Sequence, residues 1–224
     1  RPERASGSPI ELPSDIPSRE LSAEEVMPYF DWKMFYAIWG VRYGSVSPEA
    51  MELMQLRQDA EDELALGNYT IRVSARFFEA CTDGKDIITD KTSLPMLRQE
   101  IGEMMSLCDY MPSHESGSKA PLGMFTICVK AKNAAHEEGC CCPACSNKYE
   151  DLIAKAVRMT LAEAASKWLD KEIISHMSDE MKIIKPAAGY ATCPDHTLKN
   201  DIMNILSGDY DLGIKMTESY AMIP

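Results

Sequence analysis

The sequence predicts an α+β fold, because hairpin-forming strands and long helices occur in it without regular strand–helix alternation. Residues 70–77 indicate a half-buried strand, since Ile71, Val73, Ala75 and Phe77 alternate with polar side chains. Two longer stretches, residues 48–66 and 147–176, interleave apolar and charged residues and indicate helices. The 224 residues are enough to bury a core without help from disulfides or a metal.

The N-terminal region predicts an extended leader followed by two short helices. Residues 1–20 are proline-rich and carry little apolar content, which is typical of an extended segment. Ser22 and Glu25 have the spacing of a capping box, and Pro28 should end or kink the helix that they begin. Asp31 then precedes an aromatic segment and is a candidate N-cap of the next helix.

The middle of the chain predicts a helix, a β-hairpin and a third strand. The helix over residues 48–66 should end at Gly67, a favourable C-cap residue. After the strand at 70–77, Asp83-Gly84 supplies a tight turn before a second strand. A third strand is expected at residues 124–129, after a loop rich in glycine, proline and serine.

The helix predicted over residues 147–176 carries a candidate site residue. Glu163 projects within its apolar stripe, and an unpaired carboxylate there is costly to bury. It therefore either forms an i, i+4 pair with Lys167 or faces a ligand. The stripe itself consists of Tyr149, Leu152, Ile153, Ala156, Thr160 and Ala164.

A second candidate site lies in residues 183–199, where Lys185 precedes a Pro-Ala-Ala-Gly-Tyr loop. Gly189 permits a positive φ or a close approach by a ligand, and Tyr190 offers a flat face and a hydroxyl group. The loop is expected to enter a helix with Pro194 near its first position. The alternative is an ordinary turn before a capped helix. A final strand is expected at about residues 214–222.

Asp31 and His196 are further candidates. Asp31 either serves only as an N-cap or attracts a cationic ligand group within an aromatic pocket. His196 has the chemistry of a general base, but the four histidines accompany no paired serine or cysteine motif, so no nucleophilic triad is predicted.

The composition excludes several classes of function. A net charge of −12 without a basic cluster argues against a nucleic-acid partner. The longest apolar stretch, residues 122–129, is far too short to span a membrane, and the chain shows no secretory signal. Four scattered cysteines (Cys81, Cys108, Cys128 and Cys193) are typical of apolar filling residues in a reducing compartment, so we expect a cytoplasmic location.

The remaining cysteines cluster in residues 140–145, where Cys142 and Cys145 have C-x-x-C spacing. This spacing suits zinc or a redox disulfide, but a zinc site would need completion by Cys193 or His136. The alternative is a flexible, oxidisable loop, and no metal ligand is assigned.

Four sequence blocks in matching order make the chain resemble the activation domain of cobalamin-dependent methionine synthase. They are DWKMFYAIW at 31–39, CDYMPSHESG at 108–117, LAEAASKWL at 161–169, and KPAAGYATCPDHTLK with GIKMTESYAMIP at 185–199 and 213–224. The resemblance implies one C-shaped domain over residues 21–224, with a twisted antiparallel sheet flanked by helices and a Cys-rich insertion at 139–146.

The resemblance also implies a binding site for S-adenosyl-L-methionine (AdoMet). The corresponding cofactor-binding positions in this sequence are Asp31, Glu163, Lys185, Ala187, Gly189 and Tyr190. The family has an arginine where this chain has Lys185, which keeps the charge but loses the bidentate fork for a carboxylate. A further acidic family position falls near Asp179 or Glu180.

In function, the resemblance implies a reactivation component of a split methionine synthase, and thus part of a methyltransferase rather than a complete enzyme. Cobalamin would be carried by a partner protein, and a flavodoxin-like or other flavoprotein would supply the electron. No side chain of the domain need act as an acid, base or nucleophile. The alternatives are a diverged, non-catalytic assembly module of the same fold, and a metal or redox module that uses the 140–145 segment.

Overall fold

The computed structural model describes residues 12–40, 49–132, 149–175, 183–207 and 212–223, and it has the predicted α+β architecture with an antiparallel sheet. The strands are β1 (Ile16–Leu21), β2 (Tyr69–Thr82), β3 (Asp86–Ile88), β4 (Ser93–Pro95), β5 (Ala120–Ala131), β6 (Lys215–Met216) and β7 (Met222–Ile223). The helices are α1 (Ala23–Val26), α2 (Trp32–Ile38), α3 (Glu49–Ala65), α4 (Tyr149–Ser175) and α5 (Leu198–Ser207). Short 3₁₀ helices occupy Met27–Tyr29, Leu107–Tyr110 and His114–Ser116.

Strand β2 is the centre of a five-stranded sheet. It pairs antiparallel with β5 from Tyr69↔Ala131 to Ala80↔Ala120, and with β1 through pairs such as Leu21↔Ile71. The leader expected over residues 1–20 overlaps β1, because residues 16–20 are part of this ladder. Within the described residues β5 pairs only with β2, so it forms an edge of the sheet.

The predicted β-hairpin is confirmed by the pairing of β2 with β3, and β2 extends further than the sequence indicated. Gly84 has a φ of +94° in the turn between β2 and β3. The Asp83 carboxylate accepts hydrogen bonds there from the backbone N–H groups of Lys85 and Asp86, at 2.9 and 2.8 Å. These contacts are the usual means by which an Asp-Gly pair closes a tight turn.

Helices α4 and α5 pack on opposite faces of the sheet. Successive strand residues point to opposite faces, so the core to which each β2 residue belongs shows which helix covers which face. Val73 and Ala75 of β2 belong to the main core, together with Leu161 and Leu169 of α4. Phe78, of opposite parity, lies in a second core with Leu198 of α5. The buried stripe of α4 includes the predicted Ile153, Ala156, Thr160 and Ala164.

Tyr149 and Leu152, the first two residues of the predicted apolar stripe, do not enter the core, since these side chains are 46% and 44% exposed. They lie in the first turn of α4, where the main core does not reach. Tyr149 instead donates a 2.6 Å hydrogen bond to Asp59 of α3. A helical wheel shows which residues share a face of α4, but it does not show how far along the helix the packed core extends.

The C-terminal expectations also need correction. The helix after Pro194 begins only at Leu198, and residues 215–223 form a two-stranded hairpin of β6 and β7 rather than one strand. The turn between the two strands is closed by Thr217, whose backbone N–H donates to the Ala221 carbonyl at 2.9 Å. The described residues include no helix both long enough and apolar enough to cross a membrane.

Candidate ligand-binding site

Asp31 is the N-cap of α2, as predicted. Its carboxylate accepts hydrogen bonds from the backbone N–H groups of Lys33 and Met34, at 3.0 and 3.3 Å. It also forms a 3.0 Å ion pair with the Lys167 ammonium group of α4. The hydrogen bond from Lys167, with further help from the two backbone amides, lowers the pKa of Asp31. The carboxylate is therefore charged and already has a cationic neighbour at neutral pH.

An open depression of about 440 Å³ surrounds Asp31. Residues 28–33 and Lys167 line it. Phe30 and Trp32 contribute aromatic walls, with ring centroids 4.9 Å apart. A cavity with aromatic walls and two opposite charges is suited to a small ligand that carries both polar and flat groups.

Glu163 lies one helical turn before Lys167 on α4 and is half-buried. The i, i+4 pair considered between these two residues does not form, because the Lys167 ammonium group pairs with Asp31 instead. Within the part of the chain that the structure describes, no ion pair or hydrogen bond involves the Glu163 carboxylate. This carboxylate is therefore available to a cationic partner.

Lys185 is attached to the same part of α4. Its ammonium group donates to Ser166 Oγ at 2.6 Å and to Asp170 Oδ2 at 2.7 Å, and it lies 5.7 Å from the ring centroid of Phe125. A lysine ammonium has three N–H donors, so one remains beyond these two hydrogen bonds. The second Asp170 oxygen, Oδ1, is buried and has no hydrogen-bond partner within the described part of the chain.

The loop after Lys185 passes around the β5 edge of the sheet. Lys185 contacts Phe125, whose side chain lies on the α4 face, whereas Ala188 belongs to the core on the α5 face. Ala187 and Tyr190 are exposed, Tyr190 to 66%, and Gly189 is half-buried. Tyr190 thus presents most of its ring to solvent beside the sheet edge.

Hydrogen bonds close residues 187–193 into a compact turn. The Gly189 N–H donates to the Cys193 carbonyl at 2.7 Å, and the Tyr190 N–H donates to the Ala187 carbonyl at 3.1 Å. Gly189 has a φ of +98°, which disfavours any residue with a side chain. The interpretation of this segment as a turn is therefore confirmed, while its role toward a ligand stays a prediction.

Helix α4 connects the sequence-predicted site residues. Ser166 and Lys167, neighbours in the helix, contact Lys185 and Asp31 respectively, and Glu163 lies one turn earlier. Among the described residues, no hydrogen bond or ion pair joins Gly189 or Tyr190 to α4. Within the described residues, the 187–193 turn is therefore connected to the α4 groups through the backbone that follows Lys185, whose side chain contacts α4.

Sequence reasoning missed Lys167 and Asp170 as site residues. Lys167 was considered only as a partner for Glu163, and Asp170 offered no signal because a charged residue on a helix is usually solvated. The segment Cys140–Cys145, His136, and the acidic positions Asp179 and Glu180 lie outside the described residues. Cys193 is buried, and this burial raises the pKa of its thiol.

Comparison with known proteins identifies the family and the fold. Residues 22–224 match the family described as vitamin B12 dependent methionine synthase, activation domain. The crystal structure of the MetH reactivation domain bound to AdoHcy matches with a TM-score of 0.76 and 25% sequence identity. The match covers 94% of this chain and 75% of that chain.

The fold is that of a reactivation-type domain. The chain belongs to the family of vitamin B12 dependent methionine synthase activation domains, and the resemblance seen in the sequence is confirmed.

Proposed function

We propose that this domain binds AdoMet beside α4 and presents its methyl group to a cobalamin carried on another module or protein. One arrangement carries the proposal: a single stretch of α4 holds Glu163, which has no partner among the described residues, and is linked to both Asp31 and Lys185. AdoMet has a cationic sulfonium and ammonium group together with a carboxylate. The site offers a group of opposite charge to the cationic groups of AdoMet and another to its carboxylate.

Lys185 is the proposed partner of the ligand carboxylate. Its remaining N–H can be donated to a carboxylate oxygen while Ser166 and Asp170 keep the side chain in place. The family arginine would give two parallel hydrogen bonds, so a lysine here supports binding through a single charge-assisted hydrogen bond. We therefore expect weaker binding than a bidentate contact would provide.

Glu163 is the proposed counter-charge of the cationic part of AdoMet. Asp31 is a less suitable counter-charge because Lys167 already neutralises it. Asp31 instead keeps α2 and the aromatic residues Phe30 and Trp32 in place against α4. Ala187, Gly189 and Tyr190 complete the proposed site, with backbone groups for polar contacts and an exposed ring for stacking on the nucleoside.

In the proposed reaction, one electron from a flavodoxin-like or other flavoprotein and one methyl group from AdoMet convert cob(II)alamin into methylcobalamin, and AdoHcy is released. The residues of this chain bind and orient AdoMet. No acid, base or nucleophile is required of them, because the methyl group is transferred from sulfur without a proton. The occurrence of AdoHcy in the related crystal structure supports this assignment.

Calorimetric titration with AdoMet and AdoHcy tests the proposal. Lys185→Met should weaken the binding of both ligands by about tenfold or more, because a charge-assisted hydrogen bond is lost. Glu163→Gln should weaken AdoMet binding more than AdoHcy binding, since AdoHcy has no sulfonium charge. Lys155→Met and Glu150→Gln, exposed residues of the same helix, are matched controls that should bind normally.

The functional step is tested with a cobalamin-loaded methionine synthase that lacks its own activation domain. Addition of this chain, a reductant and methyl-labelled AdoMet should transfer the label to cobalamin. Failure of wild-type protein to bind either ligand at millimolar concentration would refute AdoMet binding and favour the non-catalytic assembly module. Ligand binding without label transfer would refute the methyl-presenting role alone.

A further inference from the structure

The His196 ring occupies the space where a side chain at residue 189 would lie. A Cβ atom built on Gly189 falls 2.1 Å from both Cε1 and Nδ1 of His196, far inside van der Waals contact. The same ring meets Tyr190 edge-on, with ring centroids 6.1 Å apart. His196 therefore packs directly against the backbone of Gly189 and the ring of Tyr190, two residues of the proposed site.

Lys199 fixes the orientation of this ring. Its ammonium group lies 3.1 Å from His196 Nδ1. An ammonium group can only donate, so Nδ1 must be the accepting nitrogen and the ring proton of the neutral imidazole lies on Nε2. The contact selects one tautomer and one ring orientation.

Lys199 is in turn held by the C-terminal hairpin. The same ammonium group donates to the Tyr220 carbonyl at 2.8 Å. Tyr220 has a φ of +60°, and its N–H donates to the Thr217 carbonyl at 3.0 Å, which closes the turn between β6 and β7. A continuous series of contacts thus connects this hairpin with the backbone at Gly189.

We infer that His196 and Lys199 are positioning residues, which set the Gly189–Tyr190 backbone for AdoMet through contact with the C-terminal hairpin. The inference rests on the proposed function. Neither side chain need touch the ligand. Without Lys199, the His196 ring loses its fixed tautomer, and the bend at Gly189 loses the surface against which it packs.

The test compares AdoHcy binding by Lys199→Met, Lys199→Arg and the control Lys215→Met, an exposed lysine of the same hairpin. Lys199→Met should weaken binding about fivefold, the effect of losing one or two hydrogen bonds. Lys199→Arg keeps a donor and should remain within about twofold of wild type. Long-range ¹H–¹⁵N spectra should show His196 with an unprotonated Nδ1 in wild type, and mixed tautomers in Lys199→Met.

A double-mutant cycle separates positioning from a general loss of stability. His196→Ala should also weaken binding, and its combination with Lys199→Met should add little, because both changes remove the same contact. Full additivity, or normal binding by Lys199→Met, would overturn the positioning role while the proposed function stands. Absence of AdoHcy binding by wild type would overturn the proposed function and, with it, this role.

Discussion

Replacing Gly189 by alanine measures how closely His196 packs against the 187–193 turn, without any ligand. Two effects act on the variant. A non-glycine residue with φ near +98° is strained by roughly 1–2 kcal/mol. In addition, the new methyl group would lie 2.1 Å from the imidazole ring, so the ring must move away.

The steric effect has an upper limit, because His196 is exposed at the surface and can rotate. Rotation breaks the contact with Lys199 and removes the ring from Gly189, which we expect to cost about 1–2 kcal/mol. Gly189→Ala should therefore lower the free energy of unfolding by about 2–4 kcal/mol in total.

Gly84→Ala is the matched control. Gly84 has nearly the same φ, +94°, but a Cβ atom there meets nothing within 4 Å. It should therefore show the conformational strain alone, about 1–2 kcal/mol by urea denaturation. The difference between the two variants is the steric contribution of His196.

Combining Gly189→Ala with His196→Ala should remove the steric contribution. Measured against His196→Ala alone, the effect of Gly189→Ala should then fall to that of Gly84→Ala, within about 0.5 kcal/mol. Equal destabilisation by Gly189→Ala and Gly84→Ala in the wild-type background would show that the His196 ring does not pack against Gly189.

Three further predictions concern individual ionisable groups. The Lys167 hydrogen bond lowers the pKa of Asp31 below 3.8, so the stabilising contribution of the Asp31 carboxylate is present above that pH and is lost as the pH falls through the lowered pKa. The difference in unfolding free energy between wild type and Asp31→Asn should therefore shrink below about pH 4. A difference that stays constant with pH would contradict this reasoning. The buried Cys193 thiol, with its pKa raised, should react with iodoacetamide much more slowly in native than in unfolded protein, as judged by mass spectrometry; equal rates would contradict its burial. Partial desolvation and the hydrogen bond to Asp59 raise the pKa of Tyr149 to about 12, so ultraviolet titration of wild type and Tyr149→Phe should differ only near that pH.

The local structure at Asp31 illustrates what a sequence can predict. An aspartate before an aromatic helical segment indicates an N-cap, and the carboxylate does accept from the backbone of α2. The capping box of Ser22 and Glu25 and the turn at Asp83-Gly84 were predicted on the same grounds and are confirmed. Each depends on groups a few residues apart in the chain, so no knowledge of the tertiary fold is needed.

The partner of Lys167 illustrates what sequence reasoning could not reach. The i, i+4 rule offered Glu163, whereas the ammonium group pairs with Asp31, 136 residues away. A partly exposed helical pair contributes only a few tenths of a kcal/mol, so tertiary packing readily decides between two such partners. The pairing of Lys185 with Asp170 and Ser166 was inaccessible for the same reason.

Local patterns in the chain predict the α+β class, the positions of the principal strands and helices, and the family to which the chain belongs, because periodicity, caps and motif blocks depend on residues that are close together in sequence. Three features have no local signal and are seen only in the folded chain: α4 and α5 lie on opposite faces of the sheet, the loop after Lys185 passes the β5 edge, and His196 packs against Gly189. These are contacts between segments distant in sequence. Their free energies depend on burial and geometry, which no local pattern encodes.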